Sequence, residues 1–123
     1  ATNKLAKLYK IKIGDFIVIH DDLDLKLGQI KISRGKGSAG HRGVESIIKA
    51  MKSPDFIRVR IGTCFRKKIK DKKKKKEEII KFVIGNFSKK EEGVIKRTIK
   101  KTSEALKIII SEGVEKAMNI YNQ

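Results

Sequence analysis

The sequence predicts a single α/β domain spanning residues 1–123, and three observations predict it. Short β-branched apolar runs alternate with longer stretches whose apolar residues recur at helical spacing. Glycine-rich or charged segments separate the two kinds. The length, 123 residues, suits one compact domain with a real core.

The elements follow in order. Leu5, Leu8 and Tyr9 sit at helical spacing and predict a short first helix, and Gly14-Asp15 is a turn signal. Phe16 to His20, "FIVIH", is a β-branched run that reads as a buried strand ending at His20. In "LGQIKIS", Leu27, Ile30 and Ile32 between polar neighbours predict a half-buried strand. A glycine-rich loop, "RGKGSAGHRG", follows. Val44, Ile47, Ile48 and Met51 then lie at i, i+3, i+4 and i+7, an amphipathic helix that Pro54 stops. In "FIRVRIGTCF", Ile57, Val59 and Ile61 alternate with Arg58 and Arg60, which predicts another strand. Arg66 to Glu78 is a charge run expected to be a solvated loop, and "IIKFVIGNF" after it is a short apolar segment. "SKKE", Ser88 to Glu91, has the capping-box pattern, and the helix it opens shows Ile95, Ile99, Thr102, Leu106 and Ile109 on one face. Gly113 interrupts it, and Val114, Ala117, Met118 and Tyr121 mark a last short helix. The strands are expected to form one sheet covered by helices.

Charge bounds the function. Lys and Arg number 31 against 14 Asp and Glu, a formal +17. Such a chain attracts polyanions, nucleic acid first and an anionic membrane surface second, although lysine is abundant throughout and part of the charge is compositional bias. No apolar run is long enough for a membrane-spanning helix, and no secretory signal is visible. Cys64 is the single cysteine; it cannot form an internal disulfide and suits a reducing cytosol. Two His and one Cys show no metal-ligand spacing, so no metal is expected.

Two stretches could carry chemistry. Gly35, Gly37, Gly40 and Gly43 leave backbone free to approach a ligand, and the loop runs into a helix N-terminus that favours an anion, with Lys31, Arg34, Lys36 and Arg42 adding charge. It is not a Walker loop, because His41-Arg42 stands where Lys-Ser/Thr is needed. An ordinary βα loop with basic decoration remains the alternative. In "HDDLDL", Asp21 next to an imidazole would hold one tautomer. Neighbours on a strand point to opposite faces, so Asp21 would need a histidine other than His20. On residue types alone the three aspartates read more simply as turn formers between two strands.

Four blocks, "FIVIHDDLDLKLGQIKI", "GSAGHRGVESII", "FIRVRIG" and "FVIGNFSKKE", stand in the order and spacing of bacterial peptidyl-tRNA hydrolases, and the chain resembles that family over nearly all its length. The resemblance implies a mixed sheet flanked by helices. It implies a monomeric, cytoplasmic, metal-free and cofactor-free enzyme that cleaves the ester between a peptide and tRNA with a histidine as general base. Asp21 matches the aspartate that holds that histidine. Gly40, His41, Arg42 and Gly43 match a Gly-His-Asn-Gly motif that lines the cleft and meets the tRNA acceptor end. Arg60, with Lys31 or Arg34, matches residues that grip tRNA phosphates. The family's Gly-Asn-Pro-Gly, Thr-Arg-His-Asn and Met-Asn-Leu-Ser-Gly blocks do not occur here, and neither His20 nor His41 matches the catalytic position. The resemblance therefore implies a C-terminal part of the enzyme, incomplete at its N-terminus and poorly active alone. Arg42 replaces the family Asn; it can donate hydrogen bonds but not accept them. Lys72–Lys76 fall beside the cleft in the family, where a tRNA-attracting role competes with a solvated loop of no role. The alternative function is a non-catalytic RNA-binding module on the same fold.

Overall fold

The strand Ile57–Cys64 organises the domain. The computed structural model describes residues 2–35, 37–38, 40–64 and 89–122. In chain order the elements are α1 (Thr2–Tyr9), a 3-10 turn at Ile13–Asp15, β1 (Ile17–Lys26), β2 (Ile30–Arg34), α2 (Arg42–Met51), β3 (Ile57–Cys64), α3 (Lys89–Glu112) and α4 (Val114–Tyr121). The sheet order is β1-β3-β2, with β3 parallel to β1 and antiparallel to β2. The expected α/β domain with a mixed sheet is the fold observed.

Period-two alternation gives the sheet two unlike faces. Ile30, Ile32, Ile57 and Val59 are buried on one face and pack with Ala105, Ile109 and Ala117 of α3 and α4. The register places Ser33 beside Arg58, and Lys31 beside Arg60 beside His20, so polar and charged side chains stand together on the other face. The helices make the core, and the opposite face is left for a site.

Several elements depart from the sequence reading. β1 does not end at His20 but runs to Lys26, and the chain reverses at Leu27-Gly28, where Gly28 takes φ 97°. Asp21, Asp22 and Asp24 therefore lie within the strand and are not its connection to β2. The register slips between Asp22 and Lys26, and Asp22 accepts a hydrogen bond from the Asp24 N–H at 2.8 Å inside that irregularity. Arg58, on the face opposite Ile57 and Val59, is buried as well, 2% exposed, which the alternation alone does not reveal. In α3 the buried stripe is Thr98, Thr102, Ala105 and Ile109, while Ile99 is 58% exposed. The threonine hydroxyls donate to the carbonyls of Val94 and Thr98, which removes the cost of burying them. In α1 the buried residue is Ala6, and Leu5, Leu8 and Tyr9 are exposed. The charge run, Lys72–Lys76, "IIKFVIGNF" and the Ser88 cap lie outside the described residues.

Candidate active site

His41 caps α2, and that role fixes its ring. Its Nδ1 accepts the Val44 N–H at 3.2 Å. The ring proton therefore sits on Nε2, which donates to Asp21 Oδ1 at 2.8 Å. The loop before it is set for this. Ser38 Oγ donates to Glu45 Oε1 and accepts from the Gly40 N–H, and Gly40 takes φ 83°, a conformation glycine adopts without penalty. The residues called for a histidine other than His20 beside Asp21, and His41 stands there; it is not the ring that the resemblance pairs with Asp21.

His20 lies against this pair. Its ring centroid is 4.7 Å from that of His41, at 60° between planes. Its Nδ1 donates to the Asp21 carbonyl at 2.8 Å, which leaves Nε2 with the lone pair, buried and without a partner. Burial pushes the His20 imidazole below its ordinary pKa, against the opposing pull of the Asp21 carbonyl; nearby His41 and Arg58 push it further down. Asp21 is held below the usual carboxylate range, chiefly by the His41 hydrogen bond.

The polar sheet face forms the floor. Arg60 Nη1 donates to Asp22 Oδ2 at 3.1 Å, a pair little exposed on either side. Arg58 Nη1 donates to the Gly37 carbonyl, which ties the glycine loop to the centre of the sheet. Burial, with Arg60 alongside, pulls the Arg58 guanidinium below its ordinary pKa, but it stays charged at neutral pH.

These groups line a cavity of about 570 Å³, between the middle of β1, the loop and β3. Of the residues singled out from sequence, Asp21, Gly37, Gly40, His41 and Arg60 line it. Lys31, Arg34 and Arg42 do not: Lys31 flanks Arg60 in register on exposed backbone, Arg34 reaches the Gly14 carbonyl at 3.3 Å, and Arg42 is the exposed first residue of α2. Sequence reasoning missed Asp22, Ser33 and Arg58 as cavity residues. The signal for Arg58 was available, since residues two apart on a strand share a face and Arg60 was already a candidate. Among the described residues no cluster of three or more His, Cys, Asp or Glu is placed to hold a metal ion, and no helix is long and apolar enough to cross a membrane.

The peptidyl-tRNA hydrolase family model matches residues 1–123 in full. The chain belongs to the peptidyl-tRNA hydrolase family. Among its relatives are the peptidyl-tRNA hydrolases of Thermodesulfovibrio yellowstonii, 39% identical over 95% of this chain and 58% of that protein, and of Thermotoga maritima, 38% identical over 94% and 59%. The crystal structure of peptidyl-tRNA hydrolase from Acinetobacter baumannii superposes with a TM-score of 0.76 at 28% identity, covering 94% of this chain and 55% of that one. The chain thus spans somewhat under two thirds of the length of the family members it matches.

Proposed function

We propose that this chain carries the acceptor-end cleft of a peptidyl-tRNA hydrolase, acting as a monomer in the cytoplasm, with tRNA-linked peptide as substrate and water as co-substrate. The observation that carries the reading is the Asp21–His41 bond in the wall of the cavity, in a chain of the peptidyl-tRNA hydrolase family. Asp21 supplies fixed negative charge that orients an imidazole, the glycine loop and His41 shape the wall, and Lys31, Arg34, Arg42 and Arg60 meet tRNA oxygens. The net charge of +17 favours a polyanionic substrate and keeps copies of the chain apart.

Ester hydrolysis needs a lone pair to take the proton from water. Both nitrogens of His41 are engaged, and the free lone pair of His20 is buried. These are the chain's two histidines. The chain by itself is therefore a poor catalyst, and the base is supplied by a group other than these two rings. The same observation favours the second reading, a module that binds RNA without cleaving it.

Binding of peptidyl-tRNA at increasing salt tests the substrate. Log affinity is expected to fall with log salt at a slope of roughly −0.7 to −0.9 for each phosphate contacted. Lys31→Ala is expected to lower that slope by about 1. Affinity that does not change with salt would remove tRNA as the partner.

A further inference from the structure

We infer that Arg58 is an oxyanion seat in the cavity and that its occupant is a phosphodiester of a bound RNA strand; the RNA rests on the reading above, the seat does not. Two contacts fix the guanidinium. Nη1 is held by the Gly37 carbonyl, and the guanidinium carbon lies 5.2 Å from the ring centroid of Phe56, itself fully buried. What remains is Nε and Nη2, and both are buried without a partner. These two N–H groups share one edge of the guanidinium and point in parallel. They are the fork that takes two oxygens of a phosphate or carboxylate.

The charge is as unmatched as the donors. The ion pairs among the described residues are His41–Asp21, Arg60–Asp22 and Lys116–Glu112, and none includes Arg58. An uncompensated buried cation is unfavourable. Its neighbours do not relieve it: Arg60 lies two residues on, on the same face, with its own Nε unpartnered. Ser33, opposite Arg58 in register, lines the same cavity and adds a hydroxyl. A preset fork, an unpaired charge and an adjoining cavity together describe a place for an oxyanion.

Phosphate is the better occupant. In a peptidyl-tRNA the C-terminal carboxyl of the peptide is esterified, so it offers no carboxylate there. Every nucleotide of the RNA carries an anionic phosphodiester with two free oxygens.

The test is a titration of the whole, nitrogen-15-labelled chain, following the Arg58 Nε–H signal, which is identified by its loss in Arg58→Lys. Inorganic phosphate and a short single-stranded RNA are each expected to shift that signal saturably. Arg58→Lys, which keeps the charge and loses the fork, is expected to weaken RNA binding roughly tenfold. Its melting curve shows whether it has folded; if it has not, the titration of the unaltered chain decides alone. A signal unmoved while RNA binds would overturn the seat and leave the tRNA reading standing. Acetate saturating the signal at or below the phosphate concentration would overturn the phosphate assignment. Phosphate acting where RNA does not would remove RNA as the occupant.

Discussion

Asp21 Oδ1 lies 2.8 Å from His41 Nε2, and this bond engages the one ring nitrogen of His41 that capping α2 leaves over. A single histidine thereby ends a helix and closes against a carboxylate 20 residues earlier in the chain. The bond couples the middle of β1 to the glycine loop, so the wall of the cavity and the charge state of Asp21 are linked.

That linkage has a sign. The folded-state pKa of Asp21 is depressed, so its contribution to stability is present above the unfolded value, about 3.9, and is lost as pH falls through the folded value. The side chain is 59% exposed, so the effect is small. Asp21→Asn is expected to lower the melting temperature slightly at pH 7, where the stabilisation is present, and to converge on the parent below about pH 4, which flattens the acid limb. Thermal melts from pH 2 to 7 check this.

His20 titrates in the other window. Its folded pKa is lowered by burial, so the unfolded chain takes up a proton first as pH falls below about 6.5. Stability is full above that value and declines from there toward the folded pKa. His20→Asn, whose amide can still donate to the Asp21 carbonyl, is expected to remove the decline between pH 7 and 5. Chemical denaturation at the two pH values measures the difference.

The sequence made the strands, α2 and the long C-terminal helix legible because each carries apolar periodicity over several turns or alternations. The candidate aspartate was legible too, through the family blocks. What was not legible came from tertiary context. Arg58 alternates with Ile57 and Val59 as a solvent-facing residue would, yet it is buried at the cavity wall and tied to the Gly37 carbonyl. Thr102 is on the expected face, but Ile99, which looks like core, is exposed, while Thr98 is buried beside it with its hydroxyl satisfied. The partner of Asp21 was named only as a histidine from elsewhere, since a contact between residues 20 apart has no local signature.

Gly62 on β3 faces the backbone at the end of β1. A Cβ there would meet the Lys26 carbonyl oxygen at 1.9 Å, backbone against backbone with no side chain free to move away. Gly62→Ala is expected to destabilise the fold by about 3 kcal/mol, the upper end for overpacking, because only backbone could move. A denaturant midpoint within error of the parent would show that the strands part easily.

Asn122 acts as a short substitute for a neighbouring strand. Its Oδ1 accepts the Ile32 N–H at 2.7 Å and its Nδ2 donates to the Ile32 carbonyl at 2.8 Å, satisfying backbone at the outer edge of β2. Asn122→Ala is expected to cost about 1–3 kcal/mol, because Ile32 is fully buried and its backbone would lose both partners. Asn122→Asp keeps one acceptor and loses the donor, so it is expected to destabilise as well. Equilibrium unfolding of both variants separates the two bonds.

The central claim is that this chain holds the orienting aspartate and the substrate wall while the proton acceptor is neither of its histidines. Release of peptide from peptidyl-tRNA tests it most directly, with the chain alone and with the part of the Thermotoga maritima relative that it does not match supplied in trans. No release above background is expected from the chain alone. Release is expected from the mixture, falling by about 10²-fold or more with Asp21→Asn. Release by the unaided chain at the rate of a full-length relative would contradict the claim and make His20 or His41 the base.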